Sequence, residues 1–208
     1  MEIKHETREQ WLEAAVELIK PLFPNRYTVP RVKVSTSWPS SKGLGTKKRA
    51  LGECWSKDCS ADGLHQIFIS PLLEDPLDPY GVLPVLLHEV CHAVVGIEHG
   101  HKKPFKECVY AVKLVGKATS TYADETLLPD LKEIHERLGA YPHVKIDPKL
   151  KGGKKPQKNR QLKLECECGF ICRASRKAID DFGTPICGKC QIPLVEAAGT
   201  DEDDGGEG

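Results

Sequence analysis

The chain has no apolar run approaching the ~18 residues that a membrane-spanning helix needs. Its opening residues, Met1-Glu2-Ile3-Lys4-His5, do not begin a secretory signal peptide. We therefore expect a cytoplasmic protein without a membrane partner. In that compartment, clustered cysteines are metal ligands more often than they are disulfides.

The sequence also lacks an excess of charge of either sign. Its formal net charge is zero, which by itself argues neither for nor against a nucleic-acid partner. Its length of 208 residues is enough for one domain of ordinary size and a second, smaller one. Cysteine, in contrast, is abundant: there are nine, and five of them fall between Cys166 and Cys190.

The strongest chemical pattern is His88-Glu89-Val90-Cys91-His92, within the apolar run 82–97. On a helix, residues four apart lie on one face, so His88 and His92 can bind one metal ion. Glu89 can then reach a water on that metal without being a ligand, as in zinc peptidases. The alternative is two histidines on an ordinary helix. This helix is apolar on nearly every side, however, and buried polar groups need partners.

A catalytic zinc usually has three protein ligands and keeps its fourth position for water. The metzincin pattern is excluded, because Glu98 stands where the third histidine would be and Met1 is the only methionine. Glu107 follows His92 too closely for the gluzincin pattern. From the residues alone, the candidates for the third ligand are His99, His101, Glu98 and Glu107.

The spacing of apolar residues predicts a mixed α+β domain around this motif. Thr7 and Gln10 have capping-box spacing at the start of a first helix. Three short strands, at residues 29–35, 50–55 and 65–70, should form a small antiparallel sheet. Later helices are predicted from Gly81 to Gly96, from Pro104 through Leu114 towards Gly116, and over residues 129–138.

Two cysteine pairs near the end of the sequence predict a zinc ribbon. Cys166-x-Cys168 is followed, nineteen residues after Cys168, by Cys187-x-x-Cys190. Four thiolates at such spacing form a tetrahedral structural zinc site, in which Cys172 is the alternative to Cys166. A domain of about 30 residues buries too little surface to fold on its core alone, so zinc should supply much of its stability.

Charge is unevenly distributed along the chain. Residues 145–163 hold eight Lys or Arg and one acid and are predicted to be a flexible linker. The acidic tail, residues 196–208, should be disordered. Further basic residues lie in the loop 42–49 and at Lys102, Lys103 and Lys106, a pattern that suits contact with a phosphate backbone. The predicted organisation is a catalytic domain (1–143), a basic linker (144–163), a zinc ribbon (164–195) and an acidic tail (196–208).

These features resemble the SprT-like (Spartan-related) family of zinc metallopeptidases with a C-terminal zinc ribbon. The resemblance spans roughly residues 7–195. It rests on the helix and three-stranded meander, on the His88 motif with Gly100-His101-x-x-x-Phe105, and on the compact Cys-x-Cys before Gly169. It implies that His101 is the third ligand and that Cys166 belongs to the ribbon. The run between His92 and His101 is short, which leaves His99 as a competing ligand.

The resemblance implies a zincin-like α+β core plus a ribbon, with one catalytic and one structural Zn²⁺. The expected function is that of a zinc metalloendopeptidase acting on DNA-associated proteins, in which Glu89 activates a zinc-bound water. We expect a monomer that binds DNA without reading its sequence and is cytoplasmic or nucleoid-associated. The alternatives are a non-enzymatic nucleic-acid-binding or transcription-associated adaptor with two structural zinc sites, and a zinc hydrolase of a non-protein substrate.

Overall fold

The structure is a computed structural model that describes residues 2–44, 49–148 and 161–197. The chain divides into two compact units, Met1–Leu150 and Lys151–Gly208. Both mix helices with small sheets, so the protein is an α+β protein. Most of the predicted basic linker and acidic tail, and residues 45–48 of the basic loop, lie outside the described residues. None of the helices described is long and apolar enough to cross a membrane.

Helix α1 (Arg8–Ile19) opens the first unit with the predicted capping box. The Thr7 hydroxyl accepts a hydrogen bond from the backbone N–H of Gln10, and the Gln10 side chain accepts one from the backbone N–H of Thr7, both at 3.2 Å. These bonds satisfy N–H groups that the first turn leaves without partners. Trp11 is fully buried and donates to the carbonyl of Gly139 at 3.0 Å, which ties α1 to the end of a later helix.

Strands β1 (Val32–Thr36), β2 (Gly52–Trp55) and β3 (His65–Ile69) form one sheet in the order β1-β3-β2. The prediction of an entirely antiparallel sheet is wrong, because β1 pairs parallel to β3 and only β2 pairs antiparallel. The long connection from β1 to β3 contains β2 and allows the chain to return in the same direction, as parallel pairing requires. Strand β2 therefore lies at an edge of the sheet.

Helix α2 (Val82–Val95) carries the His88 motif and is capped by Gly81 and Gly96, as predicted. Gly96 has φ 97°, in the left-handed region that favours glycine. The helix is buried along most of its length against β2, β3 and α1. Its two histidines are consequently held by a packed element rather than by a loop.

Helix α3 (Lys103–Ala111) begins near Pro104 as predicted but ends earlier than expected. The prediction that it continues through Leu114 is wrong. The chain reverses at Lys113, which has φ 64°, and forms a hairpin of β4 (Leu114–Lys117) and β5 (Ser120–Ala123). Leu114 is fully buried, and an apolar residue at this position is compatible with a helix or with a strand. Its apolar character therefore did not distinguish the two.

Helix α4 (Leu128–Leu138) starts one residue before the predicted helix and ends at Gly139, as predicted. It buries Leu131, Ile134 and Leu138 in the core of the first unit. Together, α1, α2, α3 and α4 enclose this core with the sheet. Helix α2, strand β2 and the hairpin together line one cavity.

The second unit is a three-stranded antiparallel sheet with one short helix. Strand β6 (Leu162–Glu165) lies between β7 (Ile171–Ala174) and β8 (Val195–Glu196), and α5 (Arg176–Phe182) follows β7. Within residues 161–197, the buried core consists of four side chains: Leu164, Cys166, Cys187 and Leu194. A core this small cannot offset the conformational entropy of the segment by hydrophobic burial alone.

Candidate metal centres

Three imidazoles converge beside α2. His88 and His92 lie one turn apart on that helix, and His101 lies in the loop just before α3. One ligand atom from each lies within 4.8 Å of the others, a spacing that a single metal ion can bridge. His99 lies outside this group, and its Nε2 is 3.8 Å from a carboxylate oxygen of Glu98. Of the two competing histidines, His101 is therefore the one that the fold brings to His88 and His92.

The fully buried ring of Phe105 supports all three imidazoles. It stacks on His92 with ring centroids 4.0 Å apart and meets His88 and His101 edge-on at 4.9 and 5.0 Å. Phe105 occupies the first turn of α3, so the start of that helix determines the position of this aromatic ring. Packing of this kind restricts the rotation of ligands before any metal binds.

His88 has a further contact that sequence reasoning missed. Its Nδ1 lies 2.7 Å from the hydroxyl oxygen of Thr121, where α2 and β5 are in contact. Thr121 was not recognised because the hairpin that carries it was not predicted. To find the Thr121 hydroxyl from the sequence, one would have had to predict the β4–β5 hairpin, which brings Thr121 back to α2.

The environment keeps the imidazoles neutral. Burial, with contributions from His92 and His101, lowers the pKa of His88 to about 3. Burial and the neighbouring His101 lower the pKa of His92 to about 4, and burial also lowers the pKa of His101. Metals bind the neutral imidazole, so this donor set fits zinc without first having to lose protons near neutral pH.

Glu89 lies beside the three imidazoles but is not a member of the cluster. Its side chain is buried against Gly52 of β2, where a Cβ atom would lie 2.6 Å from a Glu89 carboxylate oxygen and 2.8 Å from Val85. Only glycine leaves room for the carboxyl group at this position. Burial, reinforced by the negative charge of Glu53, raises the pKa of Glu89 to about 8.

These groups line an open cavity of about 350 Å³. One wall is β2, a second is α2, and the third is the hairpin from Thr119 to Thr121. Tyr80 also lines the cavity and packs on Tyr122 with ring centroids 5.4 Å apart. The hydroxyl of Tyr110 instead donates to the carbonyl of Gly116 at 3.1 Å.

The second unit contains a cluster of four cysteines. The sulfur atoms of Cys166, Cys168, Cys187 and Cys190 all lie within 4.8 Å of one another, and those of Cys168 and Cys187 are 3.6 Å apart. Cys172 lies outside this group, on β7 opposite Leu164. Backbone N–H groups, first that of Cys190, lower the pKa of Cys187 to about 7, whereas hydrogen bonds with Cys168 and Cys166 raise the pKa of Cys190 to about 12.

The remaining cysteines lie outside both clusters. Cys91 is fully buried, and Cys108 of α3 is buried with it. Cys54 is partly buried in the cavity wall, and Cys59 is exposed after β2. In the described part of the chain, the groups able to hold a metal ion are therefore the three-histidine and four-cysteine clusters, whose donors are compatible with zinc.

Comparisons with protein-family models, with curated proteins and with solved structures found no match to this chain. The resemblance to SprT-like metallopeptidases therefore rests on the sequence motifs alone. The assignment of zinc ligands and of a catalytic role stays a prediction.

Proposed function

We propose that this protein is a zinc-dependent metalloendopeptidase of the SprT-like type. The observation that carries the proposal is the arrangement of three imidazoles and one buried carboxyl group around an open cavity. His88, His92 and His101 would hold a catalytic zinc, and the four-cysteine cluster would hold a structural one. Three protein ligands are the usual number for a catalytic zinc, and four thiolates are typical of a structural site.

A zinc ion bound by the three histidines would polarise a scissile carbonyl and lower the pKa of a water molecule to about 7. Glu89 would take a proton from that water as general base. The same carboxyl would then donate the proton to the leaving amine as general acid. Burial raises the pKa of Glu89, and the positive charge of a bound zinc ion would favour the carboxylate form that accepts this proton.

A peptide substrate is supported by the position of β2. This strand lies at the edge of its sheet, and Gly52, Glu53 and Cys54 line the same cavity as Glu89. An extended peptide can pair with the backbone of an edge strand, which would align its carbonyl groups along the wall beside the histidines. A small non-protein substrate would not pair with the backbone of this edge strand.

The adaptor alternative leaves Glu89 without a role. A buried carboxyl group with a raised pKa is costly to maintain, and a purely structural zinc site does not need one beside its ligands. The geometry of the three-histidine cluster therefore supports an enzyme better than an adaptor.

Peptide hydrolysis by the full chain tests the proposal. With zinc bound, the protein should cleave an unfolded protein such as reduced, alkylated casein. Removal of zinc with 1,10-phenanthroline should abolish cleavage, and added zinc should restore it, because the mechanism requires the metal. Cleavage that persists in the chelator, or a zinc-loaded protein with no activity on unfolded proteins, would contradict the proposal.

We further propose that the substrates are proteins bound to DNA. Lys102, Lys103 and Lys106 are exposed close to His101, and Lys103 lies 3.8 Å from Glu107. In the second unit, two cations are already paired with acids: Arg176 with Glu196 at 2.8 Å and Lys163 with Glu165 at 3.2 Å. We expect phosphate contacts from the lysines near His101 and from the other cations of the basic segment 145–163.

Binding to DNA should depend strongly on salt. With six or more phosphate contacts, affinity should fall by roughly 10³-fold between about 50 and 200 mM monovalent salt. Fluorescence anisotropy with two duplexes of unrelated sequence would measure this dependence, and both duplexes should bind equally well. Binding that weakens little over this range, or that prefers one sequence strongly, would count against this part of the proposal.

A further inference from the structure

The contact between Thr121 and His88 differs from the other contacts of the three-histidine cluster. Thr121 is 8% exposed, and its hydroxyl oxygen lies 2.7 Å from Nδ1 of His88. Among the described residues, the rings of His92 and His101 have no hydrogen-bond partner and are held by packing on Phe105. His88 is therefore the one imidazole of the cluster whose ring is oriented by a hydrogen bond.

The chemistry of the ring determines what this bond can do. A neutral imidazole carries one proton, and the nitrogen without it is the metal ligand. If Nδ1 of His88 carries the proton and donates it to Thr121, the lone pair is on Nε2. A hydrogen bond at the second nitrogen is the usual way in which proteins select the tautomer and orientation of a metal-binding histidine.

The hairpin is built to hold this hydroxyl in place. Thr121 lies within β5 and pairs with Gly116 of β4, which fixes the backbone from which its side chain extends. Threonine is branched at Cβ, which restricts rotation about χ1 and keeps the hydroxyl directed to one place. Gly116, the pairing partner of Thr121, has φ 95°, in the left-handed region that favours glycine. A Cβ atom at this position would also lie 2.9 Å from the ring of Tyr122.

We propose that Thr121 is a positioning residue of the zinc centre: its hydroxyl oxygen accepts a hydrogen bond from Nδ1–H of His88 and so presents Nε2 of that ring to the metal. The inference rests on the proposed function and adds to it a residue outside the histidine motifs. Without the hydroxyl, a buried N–H would lose its partner, and the ring would be free to turn or to change tautomer.

Zinc affinity of the full chain tests this role. Thr121→Val, which keeps the shape of the side chain but removes the hydroxyl, should weaken zinc binding at the three-histidine cluster by about 10- to 100-fold. Thr121→Ser keeps the hydroxyl and should retain near wild-type affinity. The matched control is Thr126→Val, which removes an exposed hydroxyl that contacts Asp124 and should leave both zinc affinities unchanged.

Competition with a chromophoric chelator would measure these affinities. Replacing zinc by Co²⁺ would distinguish the two sites, because Co²⁺ bound by thiolates has a charge-transfer absorption that an all-histidine site lacks. The four-cysteine site then serves as an internal reference. A Thr121→Val protein that binds zinc at the three-histidine cluster as tightly as wild type would overturn the inference. If zinc-loaded wild type cleaves protein in that case, the proposed function still stands.

The tautomer of His88 gives a second readout that does not depend on any substitution. In the zinc-loaded wild type, ¹⁵N NMR should find the proton on Nδ1, and a proton on Nε2 would overturn the inference. Wild-type protein that binds no metal at the three-histidine cluster would instead refute the proposed function itself. Weak zinc binding by Thr121→Val in a protein without peptidase activity would leave Thr121 as a positioning residue of a non-catalytic zinc site.

Discussion

Replacing Glu89 by glutamine should lower the rate of peptide hydrolysis by about 10²- to 10⁴-fold while the chain keeps both zinc ions. Glutamine has nearly the same shape and fits the space beside Gly52, but it cannot accept a proton from water. Because burial already disfavours the charged carboxylate, the neutral amide should not destabilise the fold. Casein cleavage and metal analysis on the same preparation would measure both effects.

The matched control for this substitution is Glu133→Gln, an exposed position on α4 away from the cavity. Its activity and zinc content should equal those of the wild type. Loss of one zinc ion in Glu89→Gln would mean that Glu89 is a metal ligand rather than the general base. Full activity with full zinc content would mean that another group activates the water.

Replacing Cys187 by serine should unfold the second unit and release one zinc ion. The described part of that unit has four side chains in its buried core, and Cys187 is one of them. Structural zinc sites contribute on the order of 10 to 16 kcal/mol of apparent binding free energy, which is far more than so small a core can supply. Amide hydrogen exchange over residues 161–197, together with metal analysis, would measure the loss of structure and of zinc.

Cys172→Ser is the matched control for Cys187→Ser. Cys172 lies in the same sheet and packs on the same core, but it lies outside the four-cysteine cluster. This variant should keep two zinc ions and a protected β6–β7 pair. A Cys187→Ser protein that stays folded in this region would show that zinc is not the main source of its stability.

The elements with strong local signals were predictable from sequence. The capping box at Thr7, the glycines at both ends of α2 and the stop at Gly139 are recognised by neighbouring residues, and each marks a helix end in the structure. Local patterns of this kind depend on hydrogen bonds and backbone angles within a few residues. They do not depend on how the rest of the chain is arranged.

The errors lie where the outcome depends on distant parts of the chain. The direction of β1 relative to β3 is set by the path of a long connection, which no residue within either strand reveals. Leu114 is compatible with the face of a helix or of a strand, and the reversal at Lys113 decided between them. Because that reversal was missed, so was the approach of Thr121 to His88.

Zinc content is the most direct test of the central claim, which is that His88, His92 and His101 form a metal centre distinct from the four-cysteine site. Wild type and His99→Ala should each contain two zinc ions per chain, whereas His101→Ala should contain one, held by the cysteines. A wild-type protein with a single zinc ion would contradict the account. Two zinc ions in His101→Ala, with one lost in His99→Ala, would contradict the ligand set.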